Sequence, residues 1–411
     1  MKFRDYQQSI INVGTKRLSD YGLVYLSMEV RTGKTLTSLG IAQKIEASSV
    51  LFITKKKAIY SIENDYELLK PSFELEVINY ESLHKRTMIK PDLVICDEAH
   101  SMGSFPKPSK RAKDVRNILV NMACPKLILM SGTPTPESFC QLYHQVYGHI
   151  NNPFKRYGNF YRFAKDYVNV SQRRIGSNVV NDYSNGYQEM IMGAMKPYMI
   201  SYTQREAGFL SEIEEDVLYV NMKPNTYKLC DRLIKDLVIE GREEVILADT
   251  SVKLMMKLHQ MYSGTIKFES GNSMVIDNSK AEFIKWKFDG DKIAIFYKFK
   301  AELEALKETF GDNLTTDINE FDTTEKNIAL QIVSGREGIS LRKAKYIVYY
   351  NIDFSATSYW QSRDRMTTKN RRYNKVYWIF SRGGIEKKIY RAVNGKKNYT
   401  ITHFKKDYVH K

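Results

Sequence analysis

The sequence predicts an α/β protein with two parallel-sheet domains in tandem and a mainly helical stretch bridging them. Three observations predict it. Short apolar runs alternate with helically spaced segments over the first third of the chain, and aromatic and Met-rich helical patterning replaces them between about residues 140 and 260. A second alternation then starts near residue 280. The resulting boundaries are 1–140, 141–279 and 280–411, and 411 residues with 43% hydrophobic content suffice for several cores.

The strand-like runs of the first domain are 22–28, 50–54, 75–79, 93–96 and 126–130, and Thr35 to Ile45 carries apolar residues at helical spacing. The bridging stretch is interrupted by the polar segment Asn169 to Asn185, whose Arg173 and Arg174 are candidates for contact with an anionic partner. Gly264, Ser270, Gly271, Asn272 and Ser273 make 261–279 a loop or hairpin. In the last domain Lys292 to Tyr297, Ile328 to Val333 and Tyr346 to Tyr350 read as strands, and Ala301 to Phe310 reads as a helix.

Charge narrows the partners. The 63 basic and 47 acidic residues leave a net +16, which suits a polyanion such as nucleic acid, the plain alternative being a generally basic soluble surface. No apolar stretch reaches about 18 residues and no basic amphipathic anchor is evident, so a membrane role is not expected. Met1-Lys2-Phe3-Arg4-Asp5 leads into polar sequence, so secretion is not expected either. Cys96, Cys124, Cys140 and Cys230 are far apart, and the seven histidines form no ligand cluster, so reduced thiols and no structural zinc are expected.

Two short motifs carry chemistry. Gly33-Lys34-Thr35 lies between the strand 22–28 and a helix, where backbone N–H groups can cradle phosphates, Lys34 can reach the outer phosphates and Thr35 can ligate Mg²⁺. Thr32 and Gly33 complete the loop, although Met28 stands where the strict pattern has glycine and Arg31 is large. Asp97-Glu98 follows the strand Leu93–Cys96 and supplies two carboxylates: Asp97 for the metal, Glu98 as general base for an attacking water. Either motif alone could be an ordinary helix start or strand end. In this order they form an ATP and Mg²⁺ site.

The order of motifs resembles superfamily-2 helicases and translocases with a DEAH box, Asp97-Glu98-Ala99-His100, most closely the Swi/Snf-like branch in a compact, phage-like form. The resemblance spans nearly the whole chain and implies two RecA-like domains. Phe3-Arg4-Asp5-Tyr6-Gln7 resembles the adenine-recognising Q motif, with Gln7 as base reader beside Arg4. Ser131-Gly132-Thr133 resembles motif III, which implies that His100 relays nucleotide state to Ser131 and Thr133. The segments around Thr54-Lys55 and Tyr80-Glu81-Ser82 resemble motifs Ia and Ib, which contact the nucleic-acid backbone, though Lys55 to Lys57 also read as a solvated charge run.

The second half continues the series. Ile295-Phe296-Tyr297 resembles motif IV, and Ser334-Gly335-Arg336-Glu337-Gly338 resembles motif V, which implies backbone contact by Ser334 and Gly335 and nucleotide contact by Gly338. Gln361-Ser362-Arg363-Asp364-Arg365 resembles motif VI, which implies catalytic roles for Gln361 and Arg365 and nucleotide contact by Arg363. Thr368 replaces a further arginine of that motif, leaving Arg363 and Arg371 as alternatives to Arg365 for the finger.

The resemblance thus implies a nucleic-acid-stimulated ATPase, a helicase or translocase acting on duplex or branched DNA in replication or recombination. It further implies a monomer working in the cytoplasm of a bacterium or phage-infected host. RNA is the lesser alternative as substrate, and a nonhydrolysing clamp is the alternative from another class.

Overall fold

The computed structural model describes residues 3–88, 90–122, 125–175, 178–208, 212–241, 243–335, 341–355, 358–359, 362, 365 and 373–394. The chain divides into two compact units, residues 1–208 and 209–411.

Six strands build the sheet of the first unit: β1 (Leu23–Met28), β2 (Ser49–Thr54), β3 (Glu74–Asn79), β4 (Leu93–Cys96), β5 (Lys126–Met130) and, after the hairpin strands β6 (Ser171–Ile175) and β7 (Asn178–Asp182), β8 (Met199–Tyr202). Their order is β3-β2-β4-β5-β1-β8, and every pairing is parallel. A parallel sheet is covered on both faces, so its strands must be apolar on both sides. Alternate residues accordingly enter two cores. Leu23, Tyr25, Leu51, Ile53, Val94, Cys96, Leu127 and Leu129 face one. Val24, Leu26, Met28, Val50, Phe52, Leu93, Ile95, Ile128 and Met130 face the other. Each such aliphatic side chain contributes about 1.5–3 kcal/mol on burial.

Helices α1 (Asp5–Tyr21), α2 (Lys34–Lys44) and α3 (Ile59–Leu69) send apolar residues such as Ile10, Leu39 and Ile62 into the second of these cores. Helix α1 starts where the Gln7 side chain accepts from the Arg4 backbone at 3.0 Å, and ends at Gly22, whose φ of 71° favours glycine. The opposite face is covered by α4 (Lys110–Asn121), α5 (Gln141–Val146), α6 (Phe160–Tyr167) and α7 (Gln188–Met195). Tyr143, Phe154, Phe160, Phe163 and Tyr167 form an aromatic cluster between them.

The second unit repeats the plan. Its strands β9 (Glu212–Val220), β14 (Ile293–Tyr297), β15 (Leu314–Thr315), β16 (Asn327–Gln331), β17 (Tyr346–Tyr349) and β18 (Tyr373–Ser381) lie in the order β15-β16-β14-β17-β18-β9, again all parallel. Between β9 and β14 come two antiparallel hairpins, β10 (Val238–Glu240) with β11 (Val245–Leu247) and β12 (Thr265–Lys267) with β13 (Ser273–Val275). Helices α8 (Pro224–Asp236), α9 (Ser251–Tyr262), α10 (Ser279–Lys287) and α11 (Lys300–Phe310) pack on the sheet. Two parallel-sheet α/β units in tandem are therefore the observed fold.

The expected bridge over 141–279 is not a separate body. Residues up to 208 complete the first unit through β8, and β9 opens the second, so the stretch is shared out between two sheets. The polar segment 169–185 contains an antiparallel hairpin, with Arg173 opposite Val180. The strand expected over Ile328 to Val333 ends at Gln331, where Ile332–Gly335 turns helical. Among the described residues no helix is long and apolar enough to cross a membrane, and Cys96, Cys140 and Cys230 are buried free thiols.

Candidate nucleotide site

In a parallel sheet all carboxyl ends lie at one edge, and ligands gather there. This brings together Met28 at the end of β1 with the loop to Gly33, Thr54 at the end of β2, Asp97 and Glu98 after β4, and Ser131 to Thr133 after β5. Sequence positions up to a hundred residues apart thus converge.

The loop after β1 enters α2 through Arg31 and Gly33, both left-handed with φ of 66° and 79°. Gly33 has no side chain to cap the helix, so the first-turn N–H groups of α2 point toward an incoming anion. A Cβ at Gly33 would come within 2.5 Å of the Gln7 side-chain nitrogen. Thr32 is buried, its hydroxyl donating to Glu29 O at 2.8 Å. The Lys34 ammonium bends back onto the carbonyls of Met28 at 3.0 Å and Glu29 at 3.3 Å. A phosphate would compete for it.

The residues before α1 brace this loop. Tyr6 donates to Thr32 O at 3.0 Å, exposed Arg4 donates to the Tyr6 hydroxyl at 3.0 Å, and buried Gln7 donates to Gly33 O at 3.4 Å. Gln7 therefore links α1 to the loop, with its amide engaged on both sides. Sequence reasoning missed the other brace: Tyr202 at the end of β8 stacks on Tyr6 with centroids 4.8 Å apart, while Gln204 donates to Val30 O at 2.9 Å and to the Glu29 carboxylate at 2.7 Å. These partners are more than 170 residues away in sequence, and no local motif announces them.

At the end of β4, Asp97 accepts from the Thr54 hydroxyl at 3.0 Å. The Asp97 carbonyl accepts from the Tyr80 hydroxyl at 2.6 Å. Thr54 and Tyr80 were expected at a nucleic-acid backbone, but both are buried and turned inward onto the acidic strand end. A polar tip on an apolar body fits that task as well as phosphate contact. Arg111 covers the Tyr80 ring and pairs with Glu81. Lys55 and Ser82 are half-buried.

Glu98 sits in the left-handed region with φ of 49°, which aims its carboxylate at His100, 3.1 Å away. His100 Nδ1 also lies 3.0 Å from the Ser131 hydroxyl oxygen, which accepts from Thr133 N at 3.1 Å. The implied chain from Glu98 through His100 to Ser131 and Thr133 is thus continuous.

Electrostatics separate the two carboxyls. Burial raises Asp97 above the ordinary carboxylate range and adjacent Glu98 adds to it, while Lys34 and Thr54 oppose. Burial also works against ionised Glu98, but His100, Lys34 and Lys55 outweigh it and hold that group well below the usual range. Glu98 is therefore the member of the pair held ionised, and Asp97 gains most from a cation. The donors fit Mg²⁺: carboxylate and hydroxyl oxygens, with one Asp97 oxygen already oriented by Thr54.

In the second unit, Ser334 and Gly335 lie in the short helix after β16. Arg365 is buried, and its carbonyl accepts from Leu341 N at 2.9 Å. Gly338, Gln361, Arg363, Thr368 and Arg371 lie outside the described residues.

No protein-family model matches the chain, and no curated protein matches it. Among solved structures it is similar to the Sulfolobus solfataricus SWI2/SNF2 ATPase core in complex with dsDNA, with 16% identity, a TM-score of 0.43, and 96% of this chain and 91% of that one covered. The Sulfolobus solfataricus SWI2/SNF2 ATPase core domain is similar at 16% identity and a TM-score of 0.42, with 96% and 89% covered.

Proposed function

We propose that this chain is a nucleic-acid-stimulated ATPase that couples hydrolysis to movement on duplex or branched DNA. The observation that carries the proposal is the divided acid pair: Glu98 kept ionised by His100, Lys34 and Lys55 beside Asp97, opposite an uncapped helix start. In this reading the first turn of α2 and Lys34 bind the phosphates, Thr35 and Asp97 hold Mg²⁺, and Glu98 orients water and takes its proton. Bound Mg²⁺ supplies charge neutralisation on the transferring phosphoryl group.

The contact from His100 to Ser131 gives the ionisation state of Glu98 a route into the loop after β5. That is where coupling between nucleotide and nucleic acid would pass. The +16 charge and the motif order support DNA as the track. Arg365 is the proposed finger, with Arg363 and Arg371 as alternatives. A role in replication or recombination and a cytoplasmic setting belong to the same proposal.

Steady-state ATPase assays with duplex DNA, single strands, forks and RNA test it, alongside Lys34→Ala and Glu98→Gln. Stimulation by duplex or forked DNA that both variants lose is the expected result. Turnover unchanged in both variants would sink the assignment, and stimulation by RNA alone would redirect it to an RNA helicase.

A further inference from the structure

The first unit carries a second concave site. It is a cavity of about 810 Å³ lined by Arg116 and Val120 of α4, Tyr143 and Tyr147 of the α5 segment, and Phe154, Lys155 and Tyr157 of the following turn. His149 at its floor packs against Gly22, which precedes β1, so the cavity lies toward the amino-terminal edge of the sheet. A six-residue strand spans roughly 17 Å. The cavity and the nucleotide site therefore occupy opposite ends of the same strands.

Its chemistry is graded from floor to rim. Tyr143 and Phe154 are buried, Tyr147 and Tyr157 are half-buried, and Arg116 and Lys155 are exposed. Arg116 lies over the Tyr147 ring, 5.6 Å from its centroid. Gly148 lets α4 approach so closely that a Cβ there would stand 3.0 Å from the Arg116 backbone. Among the described residues no carboxylate lines the cavity, while beside it Asp166 accepts from the Tyr157 hydroxyl at 2.5 Å and Arg156 lies over one side of that ring, 4.7 Å from its centroid. Burial pulls His149 down to about 4, and its Nδ1 accepts from Asn151 N, so the floor is neutral at physiological pH.

Cations at the rim select an anion, and two partly exposed tyrosine rings below them select a flat aromatic group. A phosphate joined to a base meets both demands. Bases pair off within a duplex and hide their faces, whereas a single strand presents them. We propose that this cavity is an accessory single-strand site that takes one unpaired nucleotide of a nucleic-acid strand, base against Tyr147 and Tyr157 and phosphate against Arg116 and Lys155. It is distinct from the nucleotide site and stands apart from the ATPase reading.

The test measures binding of fluorescently labelled oligo-dT by anisotropy with the full chain, without ATP, over a salt series. Arg116→Glu with Lys155→Glu alters only exposed side chains. It should weaken binding at least tenfold and flatten the salt dependence. Tyr147→Ala should weaken it about 5- to 150-fold while Tyr147→Phe, which keeps the ring, binds as the unaltered protein does. DNA-independent ATP turnover should be unchanged in the charge-reversal variant. That separates this site from the motor: loss of oligo-dT binding upholds it even if duplex DNA fails to stimulate turnover. Oligo-dT affinity unaltered in both the charge-reversal and Tyr147→Ala variants overturns it. So does equal loss with Tyr147→Phe, or an effect confined to duplex DNA. A cavity that instead receives an apolar protein segment gives the first of these overturning results.

Discussion

The two units are built on the same plan, a fully parallel six-stranded sheet, yet their carboxyl edges are opposite in character. In the first, two adjacent carboxyls face one another's charge and the start of α2 is uncapped. In the second, several of the described polar groups at that edge are matched among themselves, although His259 Nδ1 is buried without a hydrogen-bond partner among the described residues. Asn351 bridges His259 at 2.6 Å and Glu302, whose carboxylate accepts from Lys298 N at 2.7 Å and Phe299 N at 3.0 Å; the Lys298 ammonium pairs with Asp353. Deeper in that unit Lys280 and Glu386 form a fully buried pair at 2.7 Å. One scaffold thus leaves charges waiting for ligand at one edge and, among the described residues, pairs several of them at the other. The difference lies in which charges are compensated.

The largest effect should come from the open edge. Glu98→Gln should reduce nucleic-acid-stimulated turnover by about 10²- to 10⁴-fold with the fold intact by circular dichroism. Retained turnover would mean that the two edges do not differ in chemistry at all.

The second unit should respond in stability. Glu386→Gln leaves Lys280 buried without a counter-charge, which costs about 3–5 kcal/mol in urea unfolding. A loss under 1 kcal/mol would show that the pair is not compensating anything.

A sharper contrast sets one carboxylate against its counterpart. Asp97 is raised, so its ionised form opposes folding in the ligand-free protein, and that penalty is lost as pH falls through its folded-state pKa toward the unfolded value. Asp353 is lowered: burial works against it but Lys298 outweighs burial, so it stabilises above its unfolded pKa and that support is lost as pH falls through the folded value. At neutral pH without Mg²⁺, Asp97→Asn should raise the melting temperature and Asp353→Asn should lower it. Shifts of the same sign would break the comparison. By the same reasoning Mg²⁺ affinity of the unaltered protein should decline as pH drops from neutral, before ordinary carboxylates titrate, which calorimetry can follow.

The smallest effect concerns support. Tyr80→Phe removes only the hydroxyl that holds the Asp97 carbonyl and should cost about 0.5–1.5 kcal/mol, read in chemical denaturation.

Much of the first unit was legible because its chemistry is local. Strand, glycine loop and helix follow one another, and Asp97-Glu98 ends an apolar run, so the sequence alone puts Lys34 and Thr35 at a helix start and Asp97 and Glu98 at a strand end, while His100 entered only through the resemblance. What escaped depends on long-range packing. Thr54 and Tyr80 carry hydroxyls that suit phosphate and carboxylate equally, and only the parallel register of β2 and β4 turns Thr54 onto Asp97. Strand β8 is four residues long and finds β1 across the fold, which no periodicity in 199–202 foretells. The hairpin in 169–185 hid for another reason: Val179 and Val180, adjacent on one strand, are both exposed, so they leave no alternating pattern.

The backbone at Glu98 has a consequence for how this protein could change. A φ of 49° is a conformation glycine adopts freely and glutamate adopts at about 1–3 kcal/mol. The residue is thus held against its own local preference, and thermal robustness and turnover pull the same codon in opposite directions. A library randomised at position 98 and sorted for heat resistance should enrich glycine, whereas one sorted for ATP consumption should return glutamate.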